Sequence, residues 1–235
     1  TADLAVSARR IVWGKFLNAG QLCVAPDYVL AETAIFEPLL ERLAQTVHDF
    51  FGADPQQSPD YGRIVNARHF DRLAALLDCG TLVTGGTHDR GARYIAPTIL
   101  RDVTDEDAVM QEEIFGPILP VQAVADVPAA LDIVNRRPHP LVVYLFSSDR
   151  TRHEEVRRET RSGGLAINET VLHLANPHLP FGGVGASGLG SYHGRASFDA
   201  FSRPRSVFVR SFRFDLQVRY PPYSDTARKW IRRLL

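Results

Sequence analysis

The chain has 235 residues, 45% of them hydrophobic, which is enough for one large domain or two small ones with a true core. Lysine plus arginine equal aspartate plus glutamate at 27 each, so no overall field draws the chain to nucleic acid or to a membrane surface. The two cysteines, Cys23 and Cys79, show no C-x-x-C spacing and no Cys/His cluster, which argues against a metal site and leaves a disulfide unsupported.

No apolar run approaches the ~20 residues that span a bilayer, and Thr1-Ala2-Asp3 opens no signal-peptide pattern, so the cytoplasm is the expected location. The start, without methionine and already inside an apparent helix, predicts further chain upstream. Val6, Arg9-Arg10, Trp13 and Leu17 recur at helical spacing. Asn18-Ala19-Gly20 predicts the end of that helix, because Asn and Gly tolerate left-handed backbone. Tyr28-Val29-Leu30 then reads as a short strand. Cys23 is left in a tight loop from helix to strand, where rigid flanks can present a side chain to a cleft. The C-terminal end of a helix carries partial negative charge, so activation of this thiol has to come from elsewhere. By residue type alone, Cys23 reads as a small buried apolar group.

Phe36, Leu40, Leu43, Val47 and Phe50 give one apolar face to a helix across residues 35–51, with Pro38 in its first turn. Residues 52–59 are a turn region. A second helix is predicted from Asn66 as N-cap to Gly80 as C-cap, with Cys79 as a structural residue near its end. Residues 82–84 read as a strand, 85–91 as a turn, and 94–100 as an extended segment in which Pro97 implies an edge or a bulge. After an acidic loop come a strand at 118–125, a helix at 127–136 capped by Asp126, an apolar strand at 141–147, a charged helix at 149–160, and a strand at 165–168. This alternation predicts an α/β fold with a largely parallel sheet. From Pro180 the chain is glycine-rich, and Phe/Arg alternation through Phe208, Phe212 and Phe214 predicts a strand there. A short basic helix is expected over residues 226–235.

Three stretches carry the functional argument. Gly183 to Gly188 formally spells G-x-G-x-x-G, but no strand precedes it and no helix directly follows, so it is not a dinucleotide fingerprint. Ser187 is no nucleophile elbow either, because Leu189 stands where G-x-S-x-G needs glycine. Met110 to Pro117, alone, is an acidic loop entering a strand. The run from Asn18 to Tyr28 resembles the nucleophile segment of the aldehyde dehydrogenase superfamily in its class 3 form. Beside it, Glu113-Ile114-Phe115-Gly116-Pro117 resembles that family's E-x-F-G-P motif. Tyr94-Ile95-Ala96-Pro97-Thr98, Ser162-Gly163-Gly164, the glycine-rich run with Ser191-Tyr192-His193-Gly194, and Arg219-Tyr220-Pro221-Pro222 are similar to class 3 members in the same order.

The resemblance implies an aldehyde dehydrogenase catalytic-domain fold over residues 1–200, with a strand and helix extension for packing or oligomerisation over 201–235. It implies that Cys23 attacks an aldehyde, that the thiohemiacetal gives a hydride to NAD or NADP, and that water releases the carboxylic acid. Glu113 takes the hydroxyls of the nicotinamide ribose, as a carboxylate with two acceptor oxygens suits a diol, and Phe115 packs near the nicotinamide ring. His193 reads as a surface or structural histidine, with a supporting role by the active site as the alternative. Medium-chain aliphatic or aromatic aldehydes and a homodimer are implied as well. Only the family's C-terminal half is matched. Its Rossmann-type cofactor domain and its general-base glutamate, in an E-L-G-G-K word, lie upstream of Thr1. Two other readings therefore stand beside the enzyme: a non-catalytic chain with an interaction or oligomerisation role, and a cysteine esterase that uses no cofactor.

Overall fold

The computed structural model describes residues 1–213 and 215–234. They form two compact units, Thr1–Phe201 and Ser202–Leu235. In the first, helix α1 (Leu4–Phe16) begins where the Asp3 carboxylate accepts the Val6 N–H at 3.0 Å. It stops because Asn18, Ala19 and Gly20 all turn left-handed, with φ of 52°, 52° and 74°. Strand β1 (Val29–Glu32) follows the cysteine loop. Helix α2 (Phe36–Phe51) buries Phe36, Leu39, Leu40, Leu43 and Val47 on one face; the predicted stripe gains Leu39 and loses Phe50, which is exposed near the helix end.

Helix α3 (Ala67–Ala74) is capped by Asn66 as expected but is shorter than its sequence pattern. Beyond Ala74 the backbone bonds tighten to three-residue spacing, from Leu76 to Leu73, Leu77 to Ala74 and Cys79 to Leu76, before Gly80 ends the segment. Cys79 packs against the core as a partly buried side chain. Strand β2 (Thr81–Thr84) comes next. The segment read as a turn contains β3 (His88–Asp89), which pairs as a hairpin with β4 (Tyr94–Ile95). Pro97 breaks the extended stretch between β4 and β5 (Thr98–Arg101), since it has no N–H for a ladder. β5 itself is interior, between β6 (Ile118–Val124) and β2.

The principal sheet runs β1-β6-β5-β2, with β1 parallel to β6, β6 parallel to β5, and β2 antiparallel at one edge. Helix α4 (Val127–Arg136) starts where Asp126 accepts the Ala129 N–H, and α5 (Arg150–Glu159) where Asp149 accepts that of Thr151. Around α5, β7 (Val142–Leu145) and β8 (Gly164–Ile167) form a separate parallel pair. The α/β architecture with mostly parallel pairing is thus the one the alternation predicts.

Two features of the C-terminal region depart from expectation. Residues 194–200, for which the sequence predicts no helix, form helix α6 (Gly194–Ala200). The strand predicted through Phe208 and Phe212 is not formed: residues 202–211 carry no strand, and both phenylalanines lie exposed. Alternation makes a strand only where another strand accepts its backbone. The second unit holds α7 (Asp225–Leu234), the expected basic helix. Phe214 and Leu235, which belong to those two expectations, lie outside the described residues. No helix among the described residues is long and apolar enough to cross a membrane.

Candidate active site

The parallel pairing of β1 with β6 brings the two informative segments together. Each immediately precedes its strand, so both lie at the N-terminal edge of the pair, opposite to the carboxyl edge where open α/β sheets usually bind ligands. The contact is intimate. A Cβ on Gly20 would collide with the Gly116 carbonyl oxygen, so only glycine lets the two backbones meet there. The Asp27 carboxylate accepts the Ile114 N–H at 3.0 Å across 87 residues of sequence. From the other side, Arg72 on α3 donates to the Ile114 carbonyl at 2.5 Å and pairs with Glu112 at 3.3 Å. Ile114 itself is fully buried.

Pinning Ile114 inward turns its neighbours outward. Glu113 and Phe115 are both exposed, and Phe115 adopts a left-handed φ of 48°, uncommon for an aromatic residue and found where neighbours over-determine the backbone. The Glu113 carboxylate makes no hydrogen bond or ion pair among the described residues. Partial desolvation first, and the Asp27 carboxylate second, push its pKa up, while Lys15 and Arg72 pull it back. Lys15, on the last turn of α1, is buried with 1% exposure, and burial lowers its pKa to about 8 against the attraction of Asp27 and Glu113.

Cys23 occupies the second position of a turn closed by the Ala25 N–H donating to the Leu22 carbonyl at 3.0 Å. It is a free, exposed thiol between partly buried Leu22 and buried Val24, so the bland reading of a core cysteine does not apply. On the far side of this turn, Tyr144 of β7 donates its hydroxyl proton to the Val24 carbonyl at 2.8 Å and accepts the Val171 N–H at 3.1 Å. Its ring meets His173 edge-on at 5.8 Å, His173 lies 6.4 Å from Phe181, and Phe181 stacks on His193 at 5.9 Å. Both His173 ring nitrogens are buried without a hydrogen-bond partner, and burial lowers its pKa. His193 is thus part of an aromatic wall.

Sequence reading located Cys23, Glu113 and Phe115, and the structure draws their segments into one region. It missed Asp27, Arg72, Lys15, Tyr144 and His173, which act across long sequence separations. Asp27 stood within the quoted cysteine run, but nothing local distinguishes it from a loop acid.

The residues present suit the nicotinamide-ribose end of a dinucleotide, because Glu113 offers an unpartnered carboxylate beside an exposed aromatic ring. They do not cradle a pyrophosphate. The Gly183–Gly188 run is bridged back on itself from Gly185 to Gly188, and α6 starts only at Gly194. Among the described residues no group of three or more His, Cys, Asp or Glu side chains could hold a metal ion.

The fold is the α/β one of aldehyde dehydrogenases, and the aldehyde dehydrogenase family model matches residues 1–207: the chain belongs to that family. Its match is to the class 3 branch. The 4,4'-diaponeurosporen-aldehyde dehydrogenase of Staphylococcus aureus is 50% identical over 225 residues, covering 95% of this chain and 49% of that protein. The dimeric NADP-preferring aldehyde dehydrogenase of Mus musculus is 49% identical over 222 residues, covering 94% of this chain and 49% of that protein. The solved substrate-bound state of Staphylococcus aureus AldH superposes with a TM-score of 0.92 at 48% identity, over all of this chain and 51% of that one. The chain therefore spans about half the length of the curated relatives it matches.

Proposed function

We propose that the chain is the nucleophile-bearing half of an NAD(P)-dependent aldehyde dehydrogenase, with Cys23 forming the covalent intermediate. One observation carries the reading: backbone contact at Gly20 and Gly116 and the Asp27 bond to Ile114 lock the Cys23 turn to the Glu113–Phe115 segment while leaving all three side chains facing outward. A nucleophile needs a reacting partner held at a fixed place beside it.

In this reading the Cys23 Sγ adds to the carbonyl carbon of the aldehyde, and a proton goes to the carbonyl oxygen to give a thiohemiacetal. NAD or NADP, when bound, would supply the acceptor for the hydride from that carbon; with the hydroxyl proton released to water, a thioester would be left on Cys23. Water then displaces Sγ, releasing the carboxylic acid and restoring the thiol. Glu113 would hold the dinucleotide by accepting hydrogen bonds from its ribose hydroxyls, and Phe115 would flank the nicotinamide ring beside Cys23. The proposal extends to medium-chain aliphatic or aromatic aldehydes, and to a homodimer, supported by the dimeric relative. It places residues 1–200 as the catalytic domain, 201–235 as a packing extension, and the protein in the cytoplasm, which suits two free thiols.

The test uses the chain completed by an N-terminal half carrying the cofactor domain and base. Cys23→Ser lowers aldehyde-dependent NAD(P)H formation by about 10⁴-fold or more, as loss of a covalent nucleophile does. Cys79→Ser leaves the rate within about twofold. The reverse pattern would sink the assignment. The 235-residue chain alone forms negligible NAD(P)H, since loss of a general base alone costs about 10²–10⁴-fold.

A further inference from the structure

We propose that Tyr144 is a positioning residue for Cys23, holding the peptide unit on the C-terminal side of the cysteine turn so that the thiol keeps one direction. The inference rests on Cys23 being the nucleophile.

The peptide plane joining Val24 to Ala25 is held at both of its polar atoms. Its carbonyl accepts the Tyr144 hydroxyl at 2.8 Å, and its N–H donates to the Leu22 carbonyl at 3.0 Å, the bond that closes the turn around Cys23. The Val24–Ala25 peptide is the last unit of this turn; rotating it about its flanking bonds would break the closing bond, and a turn no longer closed would leave Cys23, at its second position, without a fixed direction. Tyr144 is the group that opposes it from outside the turn.

The hydroxyl is well anchored for this task. It accepts the Val171 N–H at 3.1 Å, so its proton is directed at the Val24 carbonyl. Val171 has a left-handed φ of 57°, a conformation that a β-branched residue adopts only under constraint from its surroundings. The preceding Thr170 is fully buried and donates its hydroxyl to the Arg10 carbonyl of α1 at 2.7 Å. Arg10 in turn donates to the Asn168 carbonyl. The anchor behind Tyr144 is therefore tied to the same helix that delivers the chain into the cysteine turn. Burial, with smaller contributions from Cys23 and Glu169, raises the Tyr144 pKa to about 12 against the Val171 bond, so the hydroxyl remains a donor across the neutral range.

Tyr144→Phe removes one oxygen and both bonds while keeping the ring against His173. In the 235-residue chain, hydrogen exchange at the Ala25 amide rises by about tenfold or more, although Tyr144 does not touch that amide, while Ile99 and Leu119 in the principal sheet keep their protection. In the completed enzyme, kcat/KM for aldehyde falls about tenfold, the KM for the dinucleotide is unchanged, and alkylation by iodoacetamide, which needs an exposed thiol but no fixed direction, stays within about twofold. Tyr144→Gln, which retains a donor, recovers part of the Ala25 protection.

Unchanged Ala25 exchange overturns the proposal whether or not the chain oxidises aldehydes. Faster Ala25 exchange with an unaltered kcat/KM overturns the orienting role and leaves the nucleophile assignment standing. Loss of folding in both variants also overturns it, because the tyrosine would then serve the fold as a whole.

Discussion

The principal sheet and the β7–β8 pair bury their strands to different depths. In β5, Ile99 and Leu100 are wholly buried, whereas every residue of β7, from Val142 to Leu145, keeps partial exposure although β7 is the more apolar segment. The difference lies in neighbours: β5 is flanked by β6 and β2, while among the described residues β7 has β8 alone. Parallel strands are normally covered on both faces, so an apolar run decides that a strand forms, and its partners decide how much it contributes. The candidate site draws on both sheets. The principal sheet delivers Cys23, Glu113 and Phe115 on the loops that feed β1 and β6, and the thinner pair reaches across with Tyr144.

The most direct way to break this comparison is to remove volume from each sheet. Ile99→Ala is expected to cost about 2–5 kcal/mol, because a fully buried β-branched side chain leaves a cavity among rigid neighbours. Val143→Ala, at a partly exposed position, is expected to cost about 1 kcal/mol. Urea unfolding followed by circular dichroism measures both, with the slope checked for constancy. Equal losses would mean that β7 is covered as well as β5, and the contrast would fall.

A buried charge beneath the principal sheet's site sharpens the contrast next. Lys15 has a pKa of about 8 when folded against 10.5 ordinarily. Below about pH 8 the ammonium is charged in both folded and unfolded chains, and the folded state carries the full cost of burying it. Between that value and 10.5 the folded chain has released the proton while the unfolded chain still holds it, so the cost is relieved as pH rises. Lys15→Met keeps a similar stem without the charge. It is expected to be more stable than the parent at pH 7, by something on the order of 3 kcal/mol, with the gap closing from about pH 8 upward. Comparing variant with parent cancels the tyrosines that titrate in the same range. A methionine variant less stable at pH 7 would show that attraction to Asp27 and Glu113 exceeds the cost of burial.

Much of the first sheet was legible because its signals are local. Asn18-Ala19-Gly20 marked the end of α1, Asn66 and Asp126 marked helix starts, and the apolar stripe of α2 could be counted. The site was legible only as two words, Asn18–Tyr28 and Glu113–Pro117, since each resembles a family segment. What joins them was not. Asp27, Arg72 and Lys15 acquire meaning through the parallel pairing of β1 with β6, and a one-dimensional pattern does not encode which strands become neighbours. Tyr144 lay inside a correctly read strand with no sign that its hydroxyl would reach residue 24. Phe208 and Phe212 failed in the opposite sense: their alternation fits a strand, but no described strand receives it.

The smallest expected change in stability tests the joint between those two words. Asp27→Asn keeps the oxygen that accepts the Ile114 N–H and removes the charge that strengthens the bond, a difference of about 1 kcal/mol. Its functional consequence should be larger than its effect on the fold. Asp27 helps to raise the pKa of Glu113, so removing its charge moves the Glu113 pKa down and keeps the carboxylate ionised. The same change loosens the hold on Ile114, and with it the outward setting of Glu113 and Phe115 on either side. In the completed enzyme the KM for NAD or NADP is therefore expected to rise about tenfold, because two misplaced contacts outweigh one better-ionised carboxylate. Hydrogen exchange at the Ala25 amide should keep the parental rate, since the turn held by Tyr144 is untouched. An unchanged cofactor KM would show that Gly20 against Gly116 suffices to set the segment. Faster Ala25 exchange instead would show that Asp27 serves the cysteine turn, and the division of labour between the two sheets would have to be redrawn.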